Sequence, residues 1–178
     1  MANSFGATSK TPSHERLRMS NSLTSVFIDV LALSGVQIAG TDGKKRLIVW
    51  LSEKDQSKVG AGTVGFNLCD MPWDLQTFET DKNFLLQSIT DAKRRVGWQR
   101  LGYTPAEELL FPCLDKFSVL LSELKSTNVR PEILVDWLAE AEGSDPVLCG
   151  FPICPKHDTL LTVFGCHICN NDQKERIK

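Results

Sequence analysis

Hydrophobic and polar positions divide the chain into helical stretches, one irregular break and a cysteine-rich end. In LTSVFIDVLALSGVQIAG, Val26, Val30, Leu33 and Val36 recur at intervals of three and four, the repeat of one buried helical face. Thr24 or Ser25 can cap its start and Gly40 can stop it. A second, shorter stripe follows at Leu47, Ile48, Trp50 and Leu51. The helical period then breaks in SKVGAGTVGFNLCDMPWD, where Gly60, Gly62, Gly65 and Pro72 mark a loop and TVGFNL is a candidate short strand.

A third helix fits LQTFETDKNFLLQSITDAKRRVG, with Phe78, Leu85, Ile89, Ala92 and Val96 on one face and Gly97 at its end. In TPAEELL, Thr104 can cap a fourth helix, Pro105 suits its first position and Glu107 completes a capping box. Leu110, Leu114, Phe117, Leu121 and Leu124 continue it, and Pro112 predicts a kink or a restart. A last helix starts at Pro131 in RPEILVDWLAEAEG, with Leu134, Trp137 and Leu138 facing inward. The pattern predicts a mainly α fold. About five amphipathic helices form one domain over residues 23–145, and a small cysteine-rich C-terminal knuckle occupies 146–178. Residues 1–22, rich in Ser, Thr, Asn, Gly and charge, read as a flexible polar tail, with Met19 an alternative start.

Composition narrows the function classes. A chain of 178 residues buries roughly 70% of the surface that its unfolded form exposes, so the helical body needs no staple. The net charge of −2 argues against a nucleic-acid binder, which carries a basic surplus. No run approaches the ~20 apolar residues of a membrane span, and the N-terminus lacks the apolar centre of a secretory signal. The expectation is a cytoplasmic protein, where clustered cysteines bind metal more often than they pair.

The candidate chemistry is concentrated in CPKHDTLLTVFGCHIC, which holds three of the six cysteines and two of the three histidines. Cys154-x2-His157 and Cys166-x2-Cys169 are two short chelating turns, and two such pairs complete the tetrahedron of structural zinc. Pro155 fixes φ after the first ligand, while Gly165 and Asn170 flank the second pair, where positive φ is often needed. Thiolates with one imidazole suit Zn²⁺ better than the oxygen-seeking Mg²⁺ or Ca²⁺. Two alternatives stay open: a disulfide pair, and an all-cysteine site with Cys149 in place of His157. Four protein ligands leave no open position, so the metal is expected to be structural and to fold the tail. The helical body is then expected to survive chelation. His167 should point away from the ion, toward the surface.

Elsewhere GAGTVG lacks the Lys-Ser/Thr of a phosphate loop, and no nucleophile elbow appears. Asp29, Asp70, Asp74 and Asp81 could serve carboxylate chemistry, but helix caps and surface charges explain them as well. His14 lies in the polar tail. Cys69 and Cys113 sit among apolar residues and read as core thiols. Lys93, Arg94 and Arg95, with the terminal QKERIK, are the candidate basic face. Trp73 in CDMPWD either forms an exposed aromatic–acidic patch or anchors the loop, with Asp74 capping the third helix.

FIDVLALSGVQIA, VGFNLCDMPWD, FETDKNFLLQSITDAKRRVGWQRLGYTP and CPKHDTLLTVFGCHICN together resemble a family of small bacterial proteins. These stretches are scattered between residues 27 and 170 and leave long gaps, notably 106–153. The family's Cys-x2-His and Gly-Cys-x2-Cys pattern falls on Cys154, His157, Cys166 and Cys169. Gene neighbourhood links it to contact-dependent or polymorphic toxin systems, as immunity proteins. The resemblance thus implies a non-enzymatic protein that binds a protein partner, a cognate toxin, and it carries no catalytic residue to this chain. A zinc-knuckle adaptor for nucleic acid or another protein is the alternative, and a metal-dependent hydrolase comes third.

Overall fold

The computed structural model describes residues 2–175, and its architecture is mainly α. Six helices account for it: α1 (Asn21–Val36), α2 (Asp42–Ser52), α3 (Phe78–Lys93), α4 (Glu107–Glu123), α5 (Glu132–Glu140) and α6 (His167–Glu175). Two small antiparallel ribbons join them, β1 (Asn3–Phe5) with β2 (Leu17–Met19) and β3 (Asp55–Gln56) with β4 (Gly62–Thr63). Among the described residues no helix is long and apolar enough to cross a membrane.

Helix α1 is the axis of the molecule. Every residue from Phe27 to Gly35 is buried, because α2, α3, α4 and α6 all pack around it. Its start, at Asn21, is two residues earlier than Leu23 suggests. Ser20, not Thr24 or Ser25, caps it, accepting from the Leu23 N–H at 3.2 Å. Helix α2 buries Leu47, Ile48, Trp50 and Leu51, as their spacing predicts. Helix α3 buries Phe78, Leu85, Ile89 and Ala92, but it ends at Lys93, and Gly97 belongs to the turn beyond.

Helix α4 departs from expectation at its entry. It begins at Glu107 with Ala106 at the cap position and no side-chain cap, so the Thr104 capping box does not form. It also runs without restart through Pro112, which sits early enough that little ladder precedes it. Helix α5 begins after Pro131, yet none of its residues is fully buried. Leu134, Trp137 and Leu138 are only half-covered. The strand expected in TVGFNL is confined to Gly62–Thr63.

The flexible N-terminal tail is corrected outright. Residues 3–19 form a hairpin whose Phe5, Leu17 and Met19 are buried at 0%, 5% and 2% exposure. The Phe5 ring meets Phe66 edge-on at 5.1 Å, and Phe66 in turn meets Trp50 at 4.9 Å. A Cβ on Gly65 would lie 2.4 Å from the Ser4 carbonyl oxygen, so the glycine is what lets β1 lie on this loop. The long connection from Phe5 to Leu17 is held by Arg16, whose guanidinium donates to the Ser4 hydroxyl at 2.7 Å and to Asn67 Oδ1 at 2.9 Å.

Trp73 is fully buried and its indole N–H donates to the Leu68 carbonyl at 2.7 Å, so CDMPWD is an anchored loop and not an exposed patch. Asp74 accepts from the Gln76 N–H at 2.9 Å and closes that turn, leaving α3 without a side-chain cap. Cys69 and Cys113 are buried, and burial pushes both thiols above their usual range.

Candidate metal centre

Two tight turns bring the four predicted ligands together. In the first, the Cys154 N–H donates to the Thr159 carbonyl and the Asp158 N–H returns to the Cys154 carbonyl, both at 2.8 Å. In the second, Thr162 and Gly165 exchange backbone bonds at 3.0 and 2.8 Å. Gly165 takes φ of +83°, the conformation for which its position called. Asn170 does not. It lies inside α6, and its side chain donates to the Phe164 carbonyl at 3.1 Å. The left-handed residue near the first pair is Asp158, with φ of +50°.

Cys154, His157, Cys166 and Cys169 place one donor atom each within 4.8 Å of all the others. The Cys154 and Cys169 sulfurs are 3.8 Å apart, and His157 Nδ1 lies 3.8, 3.5 and 3.3 Å from the sulfurs of Cys154, Cys166 and Cys169. Zn–S bonds of ~2.3 Å and a Zn–N bond of ~2.0–2.1 Å in a tetrahedron imply S···S of about 3.8 Å and S···N of about 3.6 Å. The donor spacing matches that of a tetrahedral metal site. Cys149 is exposed and stands outside the cluster, its sulfur near the Gly143 carbonyl. All six cysteines are free thiols, so the disulfide alternative falls too.

The surroundings prepare the donors. His157 Nε2 is 3.4 Å from Asp172 Oδ2, which also receives Lys156 Nζ at 2.6 Å. A carboxylate on the outer nitrogen fixes the ring so that the Nδ1 lone pair faces the sulfurs. Burial lowers the His157 pKa and so favours the neutral imidazole that binds metal. Burial also opposes ionisation of the thiols, and it holds Cys166 and Cys169 above the ordinary range. At Cys154 burial is outweighed by the N–H groups of His157 and Lys156, which donate to the sulfur and lower its pKa. A divalent cation among them would reverse the upward shifts, since a coordinating thiol is deprotonated.

His167 is the largest surprise of the site. It was expected at the surface and is 1% exposed. Its Nδ1 lies 2.6 Å from Asp29, a residue of α1 that is 0% exposed, and its Nε2 lies 3.4 Å from the Thr159 hydroxyl. Asp29 also receives the Tyr103 hydroxyl at 2.8 Å and the Asn171 amide at 3.1 Å. Burial, and then the Asp29 charge, pushes the Tyr103 phenol well above its usual range. Thr159, His167 and Asp29 follow the order of a hydroxyl–imidazole–carboxylate relay, but the Thr159 hydroxyl is sealed from solvent at 0% exposure and reaches no substrate. The chain of bonds is a strut between knuckle and core. Leu33 of α1 packs with Cys154, Cys166 and Ile168 beside it, so the knuckle is built into the fold and is not an independent tail.

The described part of the candidate basic face is paired with acids. Lys93 pairs with Asp115, Arg94 with Asp91 and Arg95 with Glu107, which neutralises each cation locally. Of the terminal QKERIK, residues 176–178 and the side chains of 173–175 lie outside the described residues. Of the other carboxylates, Asp81 accepts from Thr77 at 2.7 Å with its pKa raised by burial, and Asp70 meets Arg130 at 3.6 Å. Neither joins the metal cluster. Comparison with family models, curated proteins and solved structures finds no match.

Proposed function

We propose that the chain is a non-enzymatic, zinc-stabilised binding protein of the immunity type, which neutralises a cognate bacterial toxin by direct contact. The observation that carries the non-enzymatic part is the four-donor set. Four protein donor atoms lie close enough together to fill a tetrahedron around one ion, and a catalytic zinc needs one position open for water or substrate. The toxin as partner rests on the resemblance.

Surface chemistry supports a protein partner with a basic face. On α5, Glu132, Asp136 and Glu140 recur every four residues, all exposed, beside Val135 at 66% exposure. Arg130 lies against Glu132, while Glu142 and Asp145 extend the acidic surface beyond the helix. Such a surface steers association with a basic partner and gains specificity from it. The local pairing of Lys93, Arg94 and Arg95 speaks against the nucleic-acid adaptor.

Coexpression with the product of each neighbouring reading frame is the test. One frame should arrest growth alone and be neutralised by this chain, with a complex that survives size-exclusion chromatography. Asp136→Lys with Glu140→Lys should weaken that complex while zinc content and circular dichroism stay unchanged. If no neighbouring product is toxic or forms a complex, the immunity reading fails.

A further inference from the structure

A cavity of about 310 Å³ opens between the first turns of α1, the β3–β4 ribbon, the loop that carries Tyr103, and α6. At ~30 Å³ per water it has room for a ligand of about ten non-hydrogen atoms. Beneath it lie two buried carboxylates, Asp29 and Asp55, at 0% and 2% exposure. These decide the polarity of the cavity by taking hydrogens from the groups that line it.

A hydroxyl has one hydrogen to donate and two lone pairs to offer. Ser25 Oγ spends its hydrogen on Asp55 Oδ2 at 2.6 Å, Ser57 Oγ donates to Asp55 Oδ1, and the Tyr103 phenol donates to Asp29 Oδ2 at 2.8 Å. The Thr63 hydroxyl lies 3.2 Å from Asn21 Oδ1 as donor and accepts from the Asn3 amide at 2.5 Å. The Asn171 amide nitrogen faces the same carboxylates, 3.1 Å from Asp29 and 3.2 Å from Asp55. The hydroxyls of Ser25, Ser57 and Tyr103 and the Asn171 amide are thus turned inward. Asn21 Oδ1 and the Ser25, Ser57, Thr63 and Tyr103 oxygens have lone pairs to offer, while the Asn21 amide and the Ser22 hydroxyl at the rim keep hydrogens to donate. Among the described residues no lysine or arginine lines the cavity.

We propose that this cavity binds a small cation rich in hydrogen-bond donors, an alkylguanidinium or alkylammonium group. Such a group supplies hydrogens to the acceptor oxygens on the deep side of the cavity, and its charge lies above two carboxylates. A bare divalent ion fits less well. It needs oxygens, mostly charged, at about 2.3–2.6 Å, and here the carboxylate oxygens are committed to protein donors. The same chemistry can arrive as a free small molecule or as the arginine side chain of a partner.

Amide-detected NMR of the zinc-loaded chain, titrated with butylguanidinium and with its neutral isostere butylurea, tests the assignment. Butylguanidinium should saturate with a Kd of about 1 mM or tighter, with shifts centred on Ser22, Ser25, Gly62 and Thr63. It should bind at least tenfold more tightly than butylurea. Ser22 is an exposed residue at the rim, so Ser22→Trp should block the mouth and abolish the shifts while circular dichroism and zinc content hold. An acetyl-Gly-Arg-Gly-amide peptide separates the sources: binding as tight as butylguanidinium assigns the group to a partner's arginine, and exclusion assigns it to a free small molecule. Equal binding of the urea, no saturation by about 10 mM, or unchanged binding by a folded Ser22→Trp overturns the proposal.

Discussion

Two unlike fastenings hold the C-terminal segment, and α6 contributes to both. On one side of it Cys166 and Cys169 join Cys154 and His157 in the donor cluster. On the other, His167 and Asn171 reach Asp29 of α1. The first fastening joins residues within one short segment and requires an ion to bind them. The second joins residues 138 positions apart and forms only when the chain has folded. A metal site can assemble from local turns, whereas a buried carboxylate needs the rest of the protein to bring its partners. The two should therefore fail differently.

The largest effect is expected at the metal. One zinc per chain should be held with roughly 10–16 kcal/mol of apparent free energy near neutral pH. Cys166→Ser and Cys169→Ser should lose it on desalting, and His157→Ala should lose it too, while exposed Cys149→Ser keeps it. Because Leu33 packs directly on Cys154 and Cys166, chelation should lower the melting transition of the whole chain and not merely free a protease-sensitive tail. A calorimetric transition of the body unmoved by chelation would show that the two fastenings are independent.

The difference between the fastenings also explains what could be read from sequence. The ligands were legible because the spacing of Cys154, His157, Cys166 and Cys169 is itself the geometry of chelating turns. Helices α1 to α4 were legible because their apolar positions follow the helical period. Asp29 gave no signal: inside an apolar helix it looks like any surface charge or candidate base, and nothing nearby names its partner. His167 misled because the chelating pair around it suggested a surface ring. The N-terminal hairpin was missed for a related reason. Its three buried side chains, Phe5, Leu17 and Met19, are diluted among polar residues, and the partners that bury them are distant in sequence.

Next in size come losses from the buried core. Asp29→Ala removes the acceptor shared by His167, Tyr103 and Asn171. Breaking such a buried set from one side should cost about 3–5 kcal/mol, measured by urea unfolding of the zinc-loaded chain. Repeating the measurement with zinc chelated completes a cycle. A cost that vanishes without zinc would mean that the strut depends on the metal to position α6. Phe5→Ala should cost a similar ~3–5 kcal/mol by emptying the site beside Phe66. A truly flexible tail would show no loss.

The smallest effect is a pH dependence at Glu53, a carboxyl that takes part in neither fastening. Glu53 caps the C-terminal end of α2, and its pKa is pushed up to about 7, first by burial and then by the facing charge of Asp145. The Trp137 indole, Lys54 and the Val163 N–H pull it down without winning. The folded chain thus favours the neutral acid more than the unfolded chain does. The resulting stabilisation is complete below pH 4.5, the unfolded value, and is lost as pH rises from there through 7. Glu53→Gln keeps the hydrogen-bonding shape and cannot ionise. It should match the native chain at pH 4 and exceed its stability at pH 8 by about 1–3 kcal/mol, a range that discounts the part of the group still in water. The contrast with Asp29 is the point of the measurement. Asp29 has a histidine, a phenol and an amide arranged around its carboxylate, so removing it should destabilise, while Glu53 faces another acid, so removing its charge should stabilise. If Glu53→Gln unfolds more readily at pH 8 than the native chain, the Trp137 and Val163 donors outweigh burial, and α5 is held to the body by that carboxylate in its ionised form.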